Sequence, residues 1–166
     1  MSTTKPLEGI KVIEISTIIT ASLSAMMLSD QGAEVIKIEQ TGFGDPLRYL
    51  GTQKGGISAI FANTNRGKKS IELDLKTESD LEQTKKLISE ADVLINNFRP
   101  GVMDSLGLGK EDCKTLNKNL IYVAITGFGK EGPYANAPAY DHVVQAMSGS
   151  TAIQADEDKP KYIKTL

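Results

Sequence analysis

The chain has 166 residues, with 19 Lys and Arg against 21 Asp and Glu, a net charge of −2 with the lone His142 neutral, and an apolar share of 40%. This length fits one domain with a single sizeable core, and the ordinary composition argues against a polybasic nucleic-acid binder and a disordered acidic chain. Cys113 is the only cysteine, so an intramolecular disulfide and a cysteine-built zinc site are excluded, and a reducing, cytoplasmic setting fits best.

The apolar run over 18–28 is interrupted by Thr20, Ser22 and Ser24. It falls short of the ~20 residues that span a bilayer, so no transmembrane helix and no membrane partner are expected. Residues 1–8 lack the apolar core and small-residue cleavage site of a signal peptide, so the mature chain is expected to start near Met1.

Residues 10–15 (IKVIEI) form a β-branched run that predicts a strand. Residues 20–29 switch to Ala, Leu and Met spacing suited to a helix, and Gly32 closes the unit. Residues 33–39 (AEVIKIE) predict the next strand, and 40–56, rich in Gly with Pro46, predict a long surface loop. A short helix over 58–63 precedes 69–75 (KSIELDL), whose alternation of Ile71, Leu73 and Leu75 with polar neighbours predicts a half-buried strand. A helix over 77–91 with Leu81, Leu87 and Ile88 on one stripe leads to a strand at 93–95 that Pro100 prevents from continuing. A helix near 110–116, a strand over 120–126, a Gly/Pro loop to Pro138 and a helix from about 141 to 150 complete the order. This alternation predicts an α/β fold with a doubly wound, mostly parallel, Rossmann-like sheet. Residues 162–166 read as the opening of a strand, so the fold is expected to be incomplete at the C-terminus. Apolar surface exposed by that loss would bring partial unfolding or non-native association.

In such a sheet, ligands sit at the carboxyl ends of the strands, which directs attention to the loops after Ile15, Glu39, Leu75, Ile95 and Thr126. Residues 127–132 (GFGKEG) match a dinucleotide fingerprint, but Pro133 follows and no helix opens behind the glycines, while the first βα turn over 16–20 has no glycine. Gly67-Lys68 fails the phosphate-loop pattern. Arg66, Lys68, Lys69 and Lys76 place four cations around one strand, readable either as a phosphate-neutralising set or as a solvated rim. Cys113 reads as a half-buried small side chain, His142 as a surface or capping residue, and Asp141 as an N-cap, so no catalytic residue is assigned.

Several segments together resemble the class III CoA-transferases, which include formyl-CoA and carnitine CoA-transferases and the related methylacyl-CoA racemases. They are 6–14 (PLEGIKVIE), 32–39 (GAEVIKIE), 44–46 (GDP), 65–76 (NRGKKSIELDLK), 96–101 (NNFRPG), 127–134 (GFGKEGPY) and 138–149 (PAYDHVVQAMSG), which cover nearly the whole chain in order. The resemblance implies the N-terminal part of a large CoA-binding domain, spanning 1–166, in a protein that forms interlocked homodimers. It places CoA contacts on Ile18, Ile19 and Thr20, on Leu73 and Lys76, on Asn97, Phe98 and Arg99, and on Tyr140. Lys76 and Arg99 would meet phosphates, and the surroundings of Thr20 and Phe98 would hold the pantetheine arm and adenine. Gln40 and Ser105 stand where relatives carry arginines.

The implied activity moves CoA between an acyl-CoA and a carboxylic acid through an aspartyl-CoA intermediate, with CoA as substrate and no permanently bound cofactor or metal. The family's aspartate is expected beyond Leu166. Racemase members carry a histidine where Tyr140 stands, which favours the transferase branch. Two alternatives remain: a truncated, non-catalytic CoA-binding remnant, and a nucleotide-binding module without kinship.

Overall fold

The computed structural model describes residues 4–156, 159 and 161–163, which fall into two compact units, Met1–Ile125 and Thr126–Leu166. The first unit opens with β1 (Lys11–Ile15), α1 (Thr20–Asp30) and β2 (Glu34–Glu39). The loop after β2 contains a 3-10 turn at Pro46–Tyr49 and a small hairpin of β3 (Gln53–Lys54) and β4 (Ile57–Ser58). Then come α2 (Ala59–Asn65), β5 (Lys69–Glu72), α3 (Glu78–Ser89), β6 (Val93–Asn96), α4 (Val102–Ser105), α5 (Lys110–Leu116) and β7 (Ile121–Ala124). The main sheet runs β5-β2-β1-β6-β7 and every pairing in it is parallel. This is the α/β architecture that the alternating runs predict.

Both faces of the sheet are covered, because successive side chains along a strand point to opposite sides. Ile13, Ile15, Ile38 and Leu94 pack in one buried cluster with Ile88 of α3 and Cys113 of α5. Val12, Val35 and Ile95 pack in another with Ala21 and Ala25 of α1. The small alanines let α1 approach the sheet closely. Gly32 ends that helix at φ +107°, with its amide on the Ser29 carbonyl at 2.9 Å. A Cβ there would lie 2.5 Å from Lys5 Cβ, so glycine is required by both space and conformation.

Three expectations shift. Strand β5 stops at Glu72 rather than Leu75: Leu73 still donates to the Glu39 carbonyl at 2.9 Å, but the chain then turns, with the Thr77 amide on the Asp74 carbonyl. The alternation beyond Glu72 reflects burial of Leu73 and packing of Leu75 on the apolar cluster, not strand pairing. The loop over 40–56 is partly ordered by the 3-10 turn and the hairpin. Helix α4 follows Gly101 at φ +85°, a four-residue element too short to leave a periodic pattern.

The second unit carries α6 (Asp141–Met147) and α7 (Ser150–Ile153), separated by Gly149 at φ +80°, so the helix expected over 141–150 is broken near its end. Tyr140, not Asp141, is the N-cap. The Asp141 carboxylate accepts from Gln145 Nε2 at 2.7 Å, and the same amide group clasps the backbone N–H and C=O of Ile163. Residues 161–163 are not in a strand, and the rest of the expected strand, 164–166, lies outside the described residues. Among the described residues no helix is long and apolar enough to cross a membrane.

Candidate functional site

Strand order reverses at β1: its successor β2 lies on one side and β6 on the other. The carboxyl ends of β1 and β6 therefore frame the crevice where open parallel sheets bind ligands. Residues 16–20 leave β1 there and 97–99 leave β6. Asn97 ties the two loops together. Its Oδ1 accepts from the Thr17 amide at 3.1 Å, and its Nδ2 donates to the Thr17 carbonyl at 2.7 Å and to Thr20 Oγ1 at 3.2 Å. Helix α1 begins in this crevice with no side chain capping its N-terminus; of its first turn Thr20 is exposed, while Ala21 and Ser22 are buried.

Below the turn lies a group of buried charges. Glu14 and Lys37 are register partners on β1 and β2, and Lys37 Nζ donates to Glu14 Oε1 at 2.6 Å. Lys68 donates to Glu14 Oε2 at 2.6 Å, to the Ser22 carbonyl and to Asn65. Lys37 also meets Ser22 Oγ and the carbonyl of Ser16. Burial raises the Glu14 carboxyl, but the two lysines outweigh it and hold its pKa below the ordinary carboxylate value. Asp45 lies 2.9 Å from Lys37 Nζ through Oδ2, at ion-pair distance but without hydrogen-bond geometry. Two acids and two lysines thus balance to zero net charge.

A second ion pair braces the loop after β2. Arg48 grips Glu39 with two bonds of 2.7 Å, and Glu39 also accepts from Ser70 Oγ and the Asp45 amide. Burial pushes the Glu39 carboxyl up, but these donors outweigh it and hold it at about 2. Gly44 sits at φ +70° beside this pair, where a Cβ would lie 3.0 Å from both Arg48 Cδ and Glu39 Oε2.

Of the residues singled out in the sequence, Ile18, Ile19 and Thr20 follow the end of β1 and Asn97, Phe98 and Arg99 follow the end of β6, with Thr20 and Arg99 exposed and Phe98 packed against the Ile13 cluster. Leu73 is buried in the core, and exposed Lys76 follows it beyond the end of β5. Tyr140 belongs to the second unit and is 65% exposed. The four cations divide. Arg66 pairs with Asp30, Lys69 with Glu34, and Lys68 is buried against Glu14, so three of them serve intramolecular ion pairs and only Lys76 extends into solvent unpaired. Cys113 is fully buried rather than half-buried, donates to the Leu108 carbonyl, and is pushed up to about 11 by burial, which removes thiolate reactivity near neutral pH. His142 stacks at a tilt on Tyr162 with centroids 5.4 Å apart. No helix opens behind the glycines of 127–132.

Glu14, Lys37, Asp45 and the structural role of Lys68 are not evident from local sequence. The available signal is that Glu14 and Lys37 are opposite charges at the fourth position of their strands, each set between two isoleucines.

The fold is an α/β domain with a parallel sheet whose order reverses at β1, the position where open sheets of this kind bind ligands. The family model for CoA-transferase family III matches residues 7–166, and the chain belongs to that family. It is 44% identical over 155 residues to an acetyl-CoA:oxalate CoA-transferase of Acetobacter aceti, covering 93% of this chain and 40% of that protein. It is 40% identical over 159 residues to a formyl-CoA:oxalate CoA-transferase of Escherichia coli O81, covering 95% of this chain and 38% of the relative. Among solved structures, a CAIB/BAIF family protein from Brucella suis superposes with a TM-score of 0.91 at 40% identity, over 98% of this chain and 44% of its own. The chain spans about 40% of the length of these curated relatives.

Proposed function

We propose that this chain is the CoA-binding part of a class III CoA-transferase, and that the β1/β6 crevice is its CoA seat. The observation that carries the reading is the coincidence of family membership with the crevice: six of the nine residues to which the resemblance gives CoA contacts directly follow the two strands whose exits Asn97 joins. In this reading Arg99 and Lys76, both exposed cations beyond strand ends, meet phosphates, while Ile18, Ile19, Thr20 and Phe98 hold the apolar and adenine parts. Leu73 contributes from the core beneath.

The complete activity is transfer of CoA from an acyl-CoA to a carboxylic acid within a homodimer. An aspartate carboxylate attacks the thioester carbonyl and expels CoA thiolate, leaving a mixed anhydride. The thiolate then attacks the aspartyl carbonyl and releases the donor acid. The acceptor carboxylate resolves the resulting aspartyl-CoA thioester, which divides one difficult exchange into easier steps. Within this chain the described residues bind and orient CoA, and none is assigned as the nucleophile.

Calorimetric titration of the 166-residue chain with CoA, with NAD as control, tests the reading. Saturable CoA binding that weakens by ~3–10-fold on Arg99→Ala and on Lys76→Ala, as expected for loss of one charge-assisted phosphate contact, supports it. A folded chain that does not bind CoA, or that prefers NAD, overturns it. CoA binding by a complete protein that shows no transfer between acids would favour a non-catalytic binding module.

A further inference from the structure

Ile18 is the one non-glycine residue with positive φ among the described residues, at 64°. A β-branched side chain in the left-handed region is strained, and such a conformation persists only where its surroundings over-determine it. Three side chains from other elements hold successive residues of this turn. Lys37 donates to the Ser16 carbonyl at 3.3 Å, Asn97 clasps both backbone groups of Thr17, and Asp45 Oδ1 accepts from the Ile18 amide at 3.1 Å.

We propose that Asp45 is a positioning residue of the CoA site, which fixes the left-handed backbone of Ile18 so that the turn over 16–20 meets the coenzyme in one conformation. The proposal rests on the CoA reading above and adds to it a residue that does not itself touch the ligand.

Asp45 is itself held from every side. It is 1% exposed, its amide donates to Glu39 Oε2 at 2.8 Å, and its Oδ1 also accepts from the Leu47 amide at 2.9 Å. Its Oδ2 faces Lys37. The carboxylate therefore joins the braced loop after β2 to the strained turn after β1. Without it the Ile18 amide loses its partner and the residue relaxes toward negative φ. The cost of re-ordering the turn is then met when CoA binds, and affinity falls.

A double-substitution cycle read by CoA titration tests this. Asp45→Ala is expected to weaken CoA binding by ~10-fold, the effect of one tenth in free turn population, whereas Asp45→Asn, which keeps an amide-accepting Oδ1, weakens it by less than ~3-fold. Glycine adopts positive φ without help, so in an Ile18→Gly background the Asp45→Ala loss shrinks to ~2-fold. Hydrogen exchange at the Ile18 amide accelerates by ~10-fold or more in Asp45→Ala, while amides in β6 are unchanged.

Equal losses of affinity in both backgrounds, with unchanged exchange at residue 18, would overturn the proposal and leave Asp45 a general fold residue. If the unsubstituted chain binds no CoA, the CoA reading fails on its own, and the exchange measurement still decides whether Asp45 holds the turn. Should Asp45→Ala not fold, exchange in the unsubstituted chain decides instead, since an unprotected Ile18 amide is incompatible with the clasp.

Discussion

The two faces of the sheet are built on different principles. Toward α3 and α5 the strands present Ile13, Ile15, Ile38 and Leu94, an apolar layer completed by Ile88 and Cys113. Toward α1 the same strands present Val12 and Val35 first and then, nearer their carboxyl ends, Glu14 and Lys37. The apolar layer holds the sheet by area removed from water and has no preferred direction. The charged layer is directional: both Glu14 oxygens and the Lys37 and Lys68 ammonium groups are aimed at named partners, one of which is the backbone of the turn at the crevice. Replacing a buried ion pair with apolar groups can leave stability unharmed, so such a pair is weak evidence for stability. Its position here, beneath a strained turn, favours a role in specifying geometry.

Removing one charge from this layer should have the largest effect of any single substitution. Lys37→Met leaves Glu14 with Lys68 alone and Asp45 with no cation at ion-pair distance, both still buried, and is expected to cost about 4 kcal/mol in denaturant unfolding. On the opposite face, Leu94→Ala opens a cavity in the apolar cluster, where Leu94 is fully buried, and is expected to cost about 3 kcal/mol. The two should also differ in kind. Leu94→Ala lowers stability and leaves CoA affinity of the folded chain near its original value, whereas Lys37→Met reduces both. Equal effects on affinity would break the distinction between the faces.

Acid offers a gentler probe of the braced loop. Glu39 is held at about 2 against an ordinary value of 4.5, so its folded-state pKa is depressed. Its contribution is fully present above pH 4.5 and is lost as pH falls through 4.5 toward 2. That loss should amount to about 2 kcal/mol, less than the whole shift would give because the Arg48 side chain is 38% exposed and partly screened. Urea unfolding at stepped pH checks it. Arg48→Met should flatten the fall between those limits, and an unchanged profile would remove Arg48 as its cause.

The order of elements was legible because each change of period in the sequence marks a change of element. KVIEI and EVIKIE read as strands, while the Ala, Leu and Met spacing between them reads as a helix. The crevice loops were legible as well, since a parallel sheet directs ligands to strand ends whatever the loop sequence. The charged layer was not, because its partners are far apart along the chain: Lys68 meets Glu14 across 54 positions, and Lys37 meets it across 23. Nothing near Lys68 distinguishes it from its neighbour Lys69, yet one side chain is 2% exposed and the other 71%. The end of β5 was misread for the same reason, since Leu73 and Leu75 alternate with polar residues whether they pair in a sheet or fold onto a core.

Arg66 gives the smallest expected effect and the sharpest check on how the cations divide. It makes a two-pronged pair with Asp30 at the end of α1, through Nε at 3.1 Å and Nη2 at 2.5 Å, and also donates to the Asn63 carbonyl. Both side chains of the pair are about half exposed, at 53% and 44%, so water competes for each bond. Arg66→Ala should therefore change stability by less than ~0.5 kcal/mol and leave CoA affinity unaltered. Lys76→Ala, only ten positions along, should leave stability just as unaffected but weaken CoA. If Arg66→Ala also weakened CoA, the ion pair with Asp30 would have to open when the ligand binds. The four cations would then act as one phosphate-facing set, and the separation of structural from ligand-facing charge in this chain would fail at the strand where it is drawn most closely.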